Sequence, residues 1–171
     1  MKRYLESSEY IDWHTSSVRE KAEELAAGLD SQEAIALNCF EFVRDQIKHS
    51  SDFQLNPVTC KASDVLLHGT GFCYAKSHLL AALLRANNIP AGLCYQRLTV
   101  KNGVAPFCLH GLNALFLEEH GWYRLDARGN KEGVSAAFTR LGSNLPFPSR
   151  QRERRTCRKY GMSPYTRLSS F

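Results

Sequence analysis

The sequence predicts an α+β domain in which helices come first and a mostly antiparallel sheet follows. Three observations lead there. The first half carries apolar residues at helical spacing, the stretch from Ala91 switches to strand-like runs, and those runs are separated by short turn signals at Asn102–Gly103 and His120–Gly121. Segregated helices and strands, rather than strict alternation, favour α+β over a doubly wound sheet.

Taken in order, "SSVREKAEELAAGLD" reads as an amphipathic helix with Ser17 and Glu20 spaced as a capping box. "DSQEAIALNCFEFVRDQIKHS" reads as a second helix, opened by Asp30 and Glu33 in the same box. Its core face is Ile35, Cys39, Phe42, Val43 and Ile47. A polar connection containing Pro57 follows, then a short helical turn at Asp64–His68 before Gly69 and Gly71. The third helix starts near Cys73 and ends at Asn87–Asn88, with Leu79, Leu80, Leu83 and Leu84 as its buried stripe. Asn is second to Gly as a left-handed cap, and Pro90 stops the helix from continuing. "AGLCYQRLTV", "FCLHGLNALFLEE" and "WYRLDAR" read as strands.

The 171 residues are 43 % hydrophobic and 23 % charged, enough for one domain with a real core. Residues 1–148 are assigned to that domain and 149–171 to a basic, poorly packed or extended tail. The formal net charge is +5, but residues 149–171 hold seven basic and one acidic residue, so the other 148 carry a formal −1. The basic character belongs to the tail and gives no reason to expect the domain to bind nucleic acid. No run approaches the roughly 18 apolar residues of a membrane span. The start of the chain has no apolar h-region, so a cytoplasmic protein with reduced cysteines is expected.

Cys73 stands out because it lies two residues after Gly71, at the start of a helix. A thiol attacks as thiolate, and a helix N-terminus supplies unpaired N–H donors and partial positive charge that favour the anion. Gly71 is expected to let the backbone turn sharply before it. Position alone also fits a small buried apolar residue. Partners tip the reading: a nucleophilic thiol needs a histidine base oriented by a carboxylate or amide. His110 and Asp126 lie on successive strands, 16 residues apart, an even separation that lets them share a face.

The other histidines fit blander roles. His78 is five positions along the helix, about 7.5 Å up its axis, and is expected to be a surface or partly buried residue. His120 fits an exposed turn, His49 a cap on the second helix, His68 a cleft edge, and His14 a structural position. No CxxC, HxxxH or HxE pair supports a zinc site, and there is no phosphate loop or dinucleotide fingerprint. No cofactor or metal is expected.

Three spaced blocks then resemble the bacterial transglutaminase-like pattern. The first is Gly71, Cys73, Leu79, Leu83, Arg85, Ile89, Pro90 and Ala91. The second is His110 followed by "GLNALFLEEHGWYRLD", with Trp122 four residues before Asp126. The third is the upstream "FEFVRDQIKHSSD". The resemblance covers roughly residues 10–148 and implies a papain-like core with the cysteine helix packed on the sheet. It also implies Cys73 as nucleophile, His110 as general base and acid, and Asp126 as the orienting residue. Departures are Asn88 for the expected glycine, Gly92 for an arginine and Leu112 for an aromatic.

The reaction so implied is acyl transfer on a peptide or protein amide through a thioester. Hydrolysis is favoured over cross-linking, and a binding module on the same fold is the alternative from another class. The Cys73 backbone N–H is one natural oxyanion donor; Gln46 and Gln96 are open candidates for the second. Phe72, Tyr74 and Tyr95 suit a groove or the core equally well.

Overall fold

A computed structural model describes residues 1–101 and 104–130. The tail, the end of the assigned domain and the Asn102–Gly103 turn lie outside the described residues. A 3₁₀ turn at Lys2–Tyr4 is followed by α1 (Ser16–Ala26), α2 (Gln32–Asp45), β1 (Lys48–His49), α3 (Ser50–Phe53), α4 (Ala62–His68) and β2 (Thr70–Gly71). Then come α5 (Cys73–Ala86), β3 (Ala91–Lys101), β4 (Val104–Leu117) and β5 (Gly121–Leu125). Strands β3, β4 and β5 form an antiparallel sheet in chain order, and β1 and β2 form a small parallel ladder. The α+β expectation holds.

The helices start where local chemistry allows, not always where the boxes predicted. In α2 the cap is Ser31, whose hydroxyl accepts from Ala34 N at 3.1 Å, one residue after the expected Asp30. In α1 Thr15 takes the cap position without a side-chain bond, so the Ser17–Glu20 box does not form. Ser17 has already entered the helix and cannot cap it. The buried face of α2 is Ala36, Cys39, Phe40 and Val43; Ile35 and Phe42 are only partly covered. Helix α4 is longer than the expected turn and ends on Gly69, whose φ of +62° is left-handed. Asn88, with φ +59°, plays the matching part beyond α5.

Helix α5 is not amphipathic. Every residue from Ala75 to Arg85 is buried, because α1, α2 and α4 cover it on one side and the sheet on the other. His78 is therefore fully buried, not at the surface or partly buried as its spacing suggested, and its Nδ1 bonds Cys60 O at 2.8 Å. The helix's other polar side chains also find partners. Arg85 donates from Nε and Nη2 to Ala91 O (3.0 and 2.7 Å) and from Nη1 to Glu6 O (2.6 Å), tying the N-terminal segment to the first residue of β3. Burial pulls its guanidinium down to about 10, so it is still charged at neutral pH. Lys76 donates to Arg44 O at 3.3 Å and to Ile47 O, closing the end of α2.

Buried carbonyls left without a donor cost about 1–3 kcal/mol each. Arg85→Met leaves the buried Ala91 O in that state. A loss of about 1–3 kcal/mol, read as a lowered urea midpoint, is expected; an unchanged midpoint would contradict the anchoring role.

Candidate active site

Two backbone features build the site. The β1–β2 ladder pairs His49 with Gly71, which carries His49 beside the chain just before α5. Gly71 lies in β2 and has no left-handed φ, so glycine's conformational freedom is not what the position requires. It is needed for room: a Cβ there would lie 3.1 Å from Ala75 Cβ and 3.2 Å from Thr59 Oγ1. At Gly111 the constraint is tighter, since a Cβ would sit 2.8 Å from Tyr74 Cα. Strand β4 thus presses against the first turn of α5.

That contact brings the Gly111 N–H to 3.4 Å from Cys73 Sγ. His110, one residue earlier, is hydrogen-bonded to the same sulfur. Its Nε2 meets Asp126 Oδ2 at 2.5 Å, leaving Nδ1 for the sulfur. Asp126 follows directly on β5, where the ladder sets Leu125 opposite Asn113. It is diagonal to His110 on one face of the sheet, as the even spacing suggested. Cys73, His110 and Asp126 therefore meet in one place. His110 and Asp126 are buried, while Cys73 is half-buried.

Burial by itself would keep the thiol protonated. Hydrogen bonds from His110, His49 and the Gly111 N–H outweigh it and lower the Cys73 thiol to about 6. Burial also opposes the imidazolium, but the bond to Asp126, then the one to Cys73, raises His110 to about 9. Helix α5 adds its unpaired N-terminal donors on the sulfur's side. Between these two values the pair is thiolate and imidazolium, a state able to attack a carbonyl and protonate a leaving group.

Sequence reasoning missed His49. It was read as a helix cap, but it sits in β1, buried, with its ring edge-on to Phe72 at 5.7 Å and a hydrogen bond to the sulfur. Only Asp52, three residues on, hinted at a functional pair. Gln46 is exposed at the end of α2, and Gln96 lies opposite His110 in the β3–β4 ladder. His14, His68 and His120 are exposed. Phe72 and Tyr74 are half-buried with stacked rings 6.2 Å apart, flanking Cys73 in the chain. Among the described residues no group of three or more His, Cys, Asp or Glu is placed to hold a metal ion, and no helix is long and apolar enough to cross a membrane.

The pKa shifts set a pH window. Cys73, lowered from 9.0 to about 6, stabilises the fold above the ordinary thiol value and loses that contribution as pH falls through about 6. His110, raised from 6.5 to about 9, contributes fully below 6.5 and loses it as pH rises through about 9. Alkylation of Cys73 by iodoacetamide should therefore rise with a midpoint near 6, and His110→Gln should move that midpoint upward. An ordinary thiol midpoint in the wild-type chain would contradict the site's electrostatics.

The transglutaminase-like superfamily matches residues 19–127, well over half of the chain. No curated protein matches. Among solved structures, a candidate cysteine protease from Cytophaga hutchinsonii is similar with a TM-score of 0.59 and 20 % identity, over 73 % of this chain and 40 % of that one. The periplasmic domain of TgpA from Pseudomonas aeruginosa is similar with a TM-score of 0.54 and 20 % identity, over 74 % of this chain and 46 % of that one. The chain thus spans less than half the length of either, and at this identity the likeness is one of fold. With the cysteine helix against the histidine strand and residues 19–127 matched in sequence, the chain belongs to the transglutaminase-like superfamily.

Proposed function

We propose that the chain is a cysteine-dependent acyltransferase acting on peptide or protein amide bonds, with hydrolysis as its main outcome. One observation carries this reading: the half-buried Cys73 sulfur, lowered to about 6, lies against a His110 that is backed by Asp126. The thiolate attacks the amide carbonyl, forming the S–C bond as the carbonyl π pair moves onto oxygen. The Cys73 N–H, at the first position of α5, has no intrahelical acceptor and can donate to that oxygen. His110 gives its proton to the departing amine, the C–N bond breaks, and a thioester remains. His110, now neutral, takes a proton from water as the water attacks. The thiolate leaves, and the acid product and imidazolium are restored. Asp126 holds the imidazole in the tautomer this needs.

Water is favoured as the second nucleophile because the half-buried Cys73 keeps some exposure to solvent. An amine resolving the same thioester would give cross-linking instead. A cytoplasmic site of action is part of the proposal.

Labelled casein, incubated with and without a dansylated amine, tests the reading. Release of labelled peptides without amine incorporation is expected. Cys73→Ala should abolish it, and His110→Gln should reduce it about 10²–10⁴-fold in a chain that still folds. Amine incorporation in place of cleavage would turn the assignment to cross-linking. Near-wild-type turnover by Cys73→Ala would end the nucleophile assignment.

A further inference from the structure

The cycle above leaves one imidazole at the sulfur without a task. His49 Nδ1 is buried without a hydrogen-bond partner and lies 3.7 Å from Asp52 Oδ2, so the contact with sulfur belongs to Nε2. A thiolate only accepts, so an imidazole that stabilises it does so as an N–H donor. The ring is fixed by its place in the β1–β2 ladder, by the edge-on contact with Phe72 and by Asp52. Asp52 is itself clamped by Arg128, with Nη1 at 2.9 Å from Oδ2 and Nη2 at 3.0 Å from Oδ1. The backbone N–H of Arg128 donates to Asp126 Oδ1 at 2.9 Å. One residue therefore pins two carboxylates, and each carboxylate stands behind one of the two imidazoles on the sulfur.

We propose that His49 Nε2–H and the Cys73 backbone N–H together receive the carbonyl oxygen as it becomes an oxyanion, with Asp52 and Arg128 as the positioning residues that aim the ring. This rests on the acyl-transfer reading of Cys73. A donor role is favoured over a second base because His110, backed by Asp126, already carries the proton transfer. When the S–C bond forms, sulfur gives up its negative charge and the oxygen bonded to the same carbon gains it. A donor poised on the sulfur then has a stronger acceptor beside it. His49 keeps its proton throughout, and proton transfer stays with His110. A single oxyanion donor is worth about 10²–10³ in kcat.

Two reactions of the same thiol separate this role from thiolate formation. N-acetyl-phenylalanyl-glycinal adds to sulfur as a hemithioacetal and places an oxygen where the oxyanion would be. Iodoacetamide alkylates sulfur at a tetrahedral carbon and builds no such oxygen. Alkylation is read at the plateau of each variant's pH profile, where every thiol is ionised. His49→Phe keeps a ring against Phe72 but removes the donor. It should weaken the aldehyde adduct at least about tenfold and change the alkylation plateau by less than about threefold. His49→Gln, which keeps a donor, should hold the adduct within about fivefold of wild type. Asp52→Ala should weaken the adduct about three- to tenfold at an unchanged plateau, a split that general loss of structure would not produce. If His49→Phe does not fold, the Asp52→Ala split decides.

Adduct affinity within threefold of wild type in His49→Phe, or in Asp52→Ala when that arm decides, overturns the proposal and leaves the Cys73 reading intact. So does an equal fall of both reactions in a folded variant. A wild-type thiol that forms no adduct and resists alkylation at neutral pH removes the acyl-transfer reading, and this one with it.

Discussion

The site depends on how closely strand β4 approaches the first turn of α5. Gly111 has no side chain, and any Cβ there would fall within 2.8 Å of Tyr74 Cα. That absence lets one stretch of backbone do three things. It sets the Gly111 N–H on the Cys73 sulfur, carries His110 to the same atom, and closes the sheet over the helix. A larger residue would push β4 off the first turn of α5, and the groups around sulfur would part together.

Electrostatics at that point is a contest rather than a simple attraction. Removing a sulfur anion from water disfavours it, and burial is the largest single influence on Cys73. Several weaker donors, two imidazoles and a backbone N–H, together overcome it. The same holds for His110, where burial opposes the charge and Asp126 restores it. Partial enclosure strengthens each of these bonds, so the cost and the compensation share one cause.

Helix α5 shows how a buried helix can carry polar residues without penalty. Lys76, Ser77, His78 and Arg85 each reach a carbonyl: Arg44 and Ile47, Cys73, Cys60, and Ala91 with Glu6. Each bond ties the helix to a different part of the chain or to its own first turn. Their combined effect is to fix the register of α5 against α2, β3 and the N-terminal segment, and so the position of Cys73.

Much of this was legible in the residues themselves. Helical periodicity, the Asn87–Asn88 stop before Pro90 and the strand runs after Ala91 are local signals, and the elements followed them closely. The even spacing of His110 and Asp126 likewise gave a shared face, because strand side chains alternate regardless of what surrounds them. What only the tertiary structure decided was non-local. His78 is buried because three helices and a sheet enclose α5 on all sides, which no single-helix pattern reports. His49 reaches the sulfur because a two-residue parallel ladder joins segments 22 residues apart, too short to leave a sequence pattern. Gly71 and Gly111 look alike in sequence as small residues near the site, yet their necessity comes from Ala75, Thr59 and Tyr74 pressing in from elsewhere. Periodicity sets which face a side chain takes; packing between distant segments sets what it meets there.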